Sequence, residues 1–312
     1  MKLRDVLLTM ILSVYFIASH AADNTYELYA SNSIRHQSAA NYGRYLFLVK
    51  HAMASITLYD LEEKRTIYTL RLTPRKEKKE KSISHCNQSC FGIERYDSLD
   101  KFPILYINQH VLNKKYGALM DAIRIVPFMD DAGRVDSFRI EEVQQIFFPK
   151  ATDENSLGTP NAVIDTEKGY MYTYSRNNGR EATNFLEAVV SKFKIPALRD
   201  KEGNIRRKVV LTDDDILDSF NCGFNLLHAQ GGFFRNGRIY IGQGYPSKKK
   251  EYNYVYFRVI DLKKRKLIKT VDMLQIGFKK EPEGCWFYKG HAMIGTNGKQ
   301  IYKLTGRNFK VK

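Results

Sequence analysis

Tryptophan occurs once in this 312-residue chain, proline 8 times and cysteine 4 times. Set against 20 Tyr and 18 Phe, that scarcity of proline and tryptophan favours strands over helices. Beyond Ala22 no stretch is apolar enough to span a bilayer, so the mature chain is expected to have no transmembrane span. The chain has no Gly-x-Ser-x-Gly elbow, P-loop or Gly-x-Gly-x-x-Gly. His85 with Cys86 and Cys90 lacks the paired ligand spacing of a zinc site. Each absence removes a motif-based function, and none supplies one.

The N-terminus sets the expected compartment. Lys2 and Arg4 precede an apolar run over residues 6–18, and Ser19-His20-Ala21-Ala22 offers small residues for cleavage. This reads as a secretory signal peptide over residues 1–22, cut near Ala21-Ala22. Residues 23–312 then form one soluble domain, secreted or periplasmic. Losing Lys2, Arg4 and Asp5 takes the formal charge from +16 to roughly +15. For an exported protein of that charge nucleic acid is not the expected partner, and an anionic surface or glycan suits the compartment better. Basic residues also cluster in loop-like runs at 75–81, 206–208, 248–250 and 263–266, which read as solvated turns. The four cysteines allow three connectivities. An extended strand holds Cys86 and Cys90 roughly 13 Å apart, beyond disulfide reach. Cys222 and Cys285 meet only if their sheets are neighbours.

Strand-like runs then recur in groups. The first group is 45–49, 55–59 and 66–72; the second is 102–107, 122–128 and 138–148. The third is 161–165, 169–174 and 185–193, and the fourth is 224–234, 238–241, 252–260 and 267–273. Thr212 before Asp213, Asp214 and Asp215 predicts one short capped helix between them. The fifth group, 285–288, 291–295 and 301–304, is one strand short. An orphan strand at 25–30 completes it, and sharing a blade between the two termini removes a free sheet edge. One repeat supports the grouping: Leu58-Tyr59-Asp60-Leu61 matches Val259-Ile260-Asp261-Leu262, each a strand, an Asp-Leu turn and a returning strand. The fold class expected is therefore all-β, a β-propeller of five blades. Six is the alternative, because segments 108–160 and 175–225 have room for further strands.

The pattern His85-Cys86-Asn87 with Phe91-Gly92, the strand Phe102-Pro103-Ile104-Leu105-Tyr106, the Asp-Leu hairpins and Glu281-Pro282-Glu283-Gly284 resemble secreted bacterial propellers of the five- or six-bladed kind. That resemblance implies a fold and a compartment but no activity. In such a ring the upstream ends of the innermost strands surround one channel mouth. His36, Gln37, His85, Asn87, Asn161, Asp165, His228, Gln230 and Glu283 are expected there. A weaker likeness to gluconolactonase- and paraoxonase-like propellers implies a Ca²⁺ site from Asn87, Asn161, Asp165 and Glu283. Glu281 and Glu283 are expected to point to different sides of Pro282. The same groups, Gln37 and Gln230 above all, are equally suited to hydrogen-bonding one another and stitching blades together.

Three functions follow. The leading one is a binding module holding a small polar molecule or glycan at the channel mouth. The second is a calcium-type hydrolase or lactonase. The third is a protein-interaction scaffold that uses the basic loops.

Overall fold

The computed structural model describes residues 25–31, 34–72, 85–113, 117–150, 160–176 and 187–311. The expected signal peptide and the basic run at 75–81 lie outside them. Among the described residues no helix is long and apolar enough to cross a membrane.

In chain order the strands are β1 (Thr25–Ala30), β2 (Ser38–Tyr42), β3 (Tyr45–Val49), β4 (Ser55–Asp60), β5 (Arg65–Arg71), β6 (Gln88–Phe91) and β7 (Leu105–Asn113). They continue with β8 (Gly117–Met129), β9 (Val135–Phe147), β10 (Asn161–Asp165), β11 (Tyr170–Arg176), β12 (Glu187–Lys194), β13 (Lys208–Val210) and β14 (Asp218–Asn225). The last are β15 (Ala229–Arg235), β16 (Arg238–Tyr245), β17 (Tyr254–Asp261), β18 (Lys266–Asp272), β19 (Pro282–Tyr288), β20 (His291–Thr296) and β21 (Ile301–Thr305). They form five sheets: β2–β5, then β6–β9 with β13, then β10, β11, β12 and β14, then β15–β18, then β19–β21 with β1. We number these blades 1 to 5 in that order. The innermost strands β2, β6, β10, β15 and β19 touch their neighbours all the way round. This is a five-bladed β-propeller.

The ring closes as expected. β1 pairs antiparallel with β21, placing Thr25 opposite Thr305 and Tyr26 opposite Leu304, so the N-terminal strand is the outer edge of blade 5. The long segments that left room for a sixth blade instead hold the 13-residue strands β8 and β9 and the short β13, which adds parallel to the edge of blade 2. The expected helix at 212–218 is a 3₁₀ turn, Asp213–Asp215, with a reciprocal cap between Thr212 and Asp215.

Burial explains the sequence of each blade. Side chains alternate across a strand, and a blade is covered on both faces by its neighbours. In β3, Leu46 and Leu48 face the junction with blade 5, while Phe47 and Val49 face blade 2. Middle strands therefore read as continuous apolar runs, and the outer β5 exposes Arg65, Tyr68, Thr69 and Arg71. The core is five apolar clusters, one at each junction. The matched hairpins also coincide: Leu61 N–H donates to Arg44 O at 2.9 Å and Leu262 N–H to Gly237 O at 3.0 Å. Asp60 and Asp261 each accept turn amides beside an arginine, Arg44 and Arg238 respectively.

None of the four cysteines forms a disulfide. The Cys222–Cys285 pairing fails because the two sit in different junctions, blades 3–4 and blades 4–5. Burial pushes both thiols up to about 12.

Near the axis the inner strands approach closely through small residues. A Cβ on Gly231 of β15 would lie 2.8 Å from Glu283 O and 2.9 Å from Gly284 Cα on β19. Both obstacles are backbone and cannot rotate away. Gly231→Ala is therefore expected to cost about 1–3 kcal/mol in urea unfolding. An unchanged midpoint would show that β15 and β19 are not packed this tightly.

Candidate site at the upstream mouth

The five inner strands all begin at one mouth of the channel. Gln37, His85, Asn87, Asn161, His228 and Gln230, six of the expected residues, line a single cleft of about 350 Å³ there. Alternation by two selects them. His85 and Asn87 face the cleft while Cys86 between them is buried in the blade 1–2 junction.

Two expected residues are elsewhere, and a third sits behind the wall. His36 precedes Gln37 and so takes the opposite side: it is buried, its Nδ1 2.9 Å from Ile34 O and its ring against Gly295. Burial pulls its pKa down to about 4, so it is a neutral core histidine. Asp165 shares a face with Asn161 but stands at the other end of β10, roughly 13 Å along the strand. There it caps a turn, accepting Glu167 N–H at 3.1 Å and Lys168 N–H at 3.2 Å. Glu283 is buried behind Gln37, which donates to its Oε2 at 2.6 Å. The four residues named for Ca²⁺ thus do not come together. Among the described residues no group of three His, Cys, Asp or Glu is placed to hold a metal ion.

Glu281 and Glu283 reach to opposite neighbours, and a register shift interrupts β19 between Pro282 and Gly284. Each carboxyl accepts from a glutamine of a different blade: Gln230 Nε2 reaches Glu281 Oε1 at 3.0 Å and Gln37 reaches Glu283. Asn297 Nδ2 holds the other Glu281 oxygen at 2.7 Å. The two glutamines therefore tie blades 1 and 4 to blade 5, the stitching role expected of them. Burial and the Glu281 charge push Glu283 up to about 9, against a smaller pull from Arg35. It is a neutral acid at neutral pH.

Next to Asn87 of the cleft stands the buried Gln88, a residue that sequence reasoning passed over. Its Nε2 donates to Gly232 O at 2.8 Å, and its Oε1 accepts from Gly232 N–H at 2.7 Å. This two-way pairing runs from β6 in blade 2 to β15 in blade 4, across the axis. Tyr174 of β11 reaches the same point, donating to Gln230 O at 3.0 Å. Only glycine at 232 leaves room, since a Cβ there would lie 2.9 Å from the Tyr174 hydroxyl. Glycines 231 and 232 were the available signal.

The walls differ. On blade 4, His228 takes a left-handed backbone, φ 55°, which is uncommon for a residue with a side chain. The loop before it is fixed by Gln243 Nε2, bonded to Asn225 O and Leu227 O, and by Arg258 donating to Asn225 O at 2.7 Å. The imidazole packs against Tyr245 with ring centroids 4.9 Å apart, and its Nδ1 lies 2.9 Å from the Tyr254 hydroxyl. On the far wall His85 meets His51, from the 3₁₀ turn after β3, with ring centroids 4.2 Å apart. Burial lowers the pKa of all three histidines; Arg176 adds to this at His228, and Asn87 opposes it at His85. All three are neutral at neutral pH.

Glu283 gives a sign-definite test. Its folded pKa lies above the ordinary 4.5, so the folded state holds a proton that the unfolded chain loses, and stability falls as pH rises from 4.5 to about 9. The slope is at most ~1.4 kcal/mol per pH unit. Glu283→Gln keeps the neutral shape, so its advantage over the parent in urea titrations is expected to widen steadily with pH. Parallel stability profiles would mean that the carboxyl is ionised in the folded protein.

No protein-family model matches this chain, and no curated protein matches it. Among solved structures, one similar chain is the crystal structure of Myxococcus xanthus glutaminyl cyclase, at 11% identity and a TM-score of 0.49, covering 93% of this chain and 97% of that one. A likeness this loose carries no argument about activity or substrate, and the fold rests on the strand pairing itself.

Proposed function

We propose that this chain is an exported binding protein whose upstream mouth holds a neutral, hydroxyl-rich ligand of saccharide type. The observation that carries this reading is a pair of oxygens in residues of the cleft wall. Asn161 Oδ1 and Ser175 Oγ are buried and have no hydrogen-bond donor among the described residues. A buried acceptor left unpaired costs about 1–3 kcal/mol, which a ligand hydroxyl relieves. The cleft volume of about 350 Å³ lies at the small end of ordinary ligand sites. Tyr245 beside His228 offers a flat apolar surface of the kind that sugar rings stack on. Among the described residues, neutral histidines leave Arg176 and Glu281 as the only charged groups lining the cleft, which favours an uncharged ligand.

The alternatives have less to stand on. A calcium-type hydrolase or lactonase lacks a joined donor set, because Asp165 is at the wrong end of β10. A protein-interaction scaffold turns on the run at 75–81, which lies outside the described residues.

The test is a panel of neutral and charged mono- and disaccharides, scored by thermal shift and then by titration calorimetry. A neutral sugar is expected to bind saturably and raise the melting temperature. Tyr245→Ala and Asn161→Ala should each weaken binding about tenfold or more, the equivalent of ~1.4 kcal/mol. If no sugar binds, or if binding survives both substitutions, the proposal is wrong.

A further inference from the structure

The channel has a second opening where the inner strands end, and its chemistry is different. A cavity of about 420 Å³ lies there, lined by the downstream ends of all five inner strands. Gln88 spans the axis between this cavity and the upstream cleft. The lining contains two charged side chains, Arg95 and Arg235, and no aspartate or glutamate.

Neither arginine is neutralised within the described residues. Arg95 donates to two uncharged oxygens, Asp100 O at 2.9 Å and the Tyr42 hydroxyl at 2.9 Å. Arg235 lies over the Phe287 ring, with its guanidinium carbon 3.9 Å from the centroid, and forms no ion pair. The contrast with other arginines is informative: Arg44, Arg124 and Arg238 all sit on carboxylates. Arg95 and Arg235 stand on blades 2 and 4, so a guest in the cavity is approached from two sides.

A second observation points the same way. Ser89, next to the Gln88 plug, is buried, lines this cavity, and has a hydroxyl with no partner among the described residues. Around it the wall is apolar, with Ile93 (44% exposed), Val163 and Phe287. Unpaired guanidiniums recognise carboxylate, phosphate or sulfate oxygens, and they do so best where an apolar wall reduces competition from water.

We propose that the downstream mouth is a separate binding site for a small organic anion, an acidic group carried on an apolar body. Arg95 and Arg235 hold the acidic group, the Ser89 hydroxyl donates to it, and the ring of Phe287 and the side chain of Ile93 cover the apolar part. The site is independent of the saccharide reading, since it shares no lining residue with the upstream cleft.

Calorimetry with phenyl phosphate and benzoate, using benzyl alcohol as the uncharged control, tests this on the full mature chain. At least one anion is expected to bind saturably, at least tenfold more tightly than the alcohol and more weakly as salt is raised. Arg235→Gln and Arg95→Gln should each reduce that affinity severalfold or more. Tyr245→Ala at the other mouth should leave it unchanged. Equal binding of the alcohol, an affinity that both arginine variants retain, or no anion binding at all would overturn the proposal. Loss of binding in Tyr245→Ala would move the site to the upstream cleft and overturn it equally.

Discussion

Everything at the centre of this ring depends on one pairing, the side-chain amide of Gln88 with the backbone of Gly232. Five inner strands converging on an axis bring N–H and C=O groups of their free edges close together. A primary amide matches a peptide group donor for acceptor, so a single glutamine satisfies both atoms of Gly232 from the other side of the channel. The pairing needs the strands to be close. Gly231, Gly232 and Gly284 allow that approach, because a Cβ on any of them would meet neighbouring backbone or side-chain atoms at 2.6–2.9 Å. The plug then does two things. It fixes blades 2 and 4 relative to each other, and it lies in sequence between Asn87 of the upstream cleft and Ser89 of the downstream cavity.

The two cavities inherit opposite chemistry from strand direction. Upstream ends carry amides, imidazoles and the Glu281–Glu283 pair, and burial keeps most of these groups uncharged. Downstream ends lead into loops where Arg95 and Arg235 meet no carboxylate among the described residues. The two mouths are built from opposite ends of the same five inner strands.

The parts of this fold that were legible in sequence are those set by neighbours along the chain. Asp60-Leu61 and Asp261-Leu262 announce equivalent hairpins because an aspartate that accepts the next amides is a local turn device. The orphan strand and the incomplete last group pointed to closure by β1, since an open edge is a liability wherever it occurs. Reading the entries of the inner strands as one mouth placed Gln37, His85, Asn87, Asn161, His228 and Gln230 beside one cleft. It failed where its logic was incomplete. Asn161 and Asp165 share a face but sit at opposite ends of β10, and His36 takes the side opposite Gln37. Long-range partners left little trace. Nothing near Gln88 signals a partner 144 residues away, and β13 joins blade 2 only after the chain has already begun blade 3.

The most direct test of the central pairing is native-state hydrogen exchange at the Gly232 amide. If Gln88 closes the channel as described, that N–H exchanges only through global unfolding. Its urea dependence then matches that of the slowest amides in the strands β3, β11 and β16. Exchange through a local opening, with a free energy well below that of global unfolding and little urea dependence, would contradict the account.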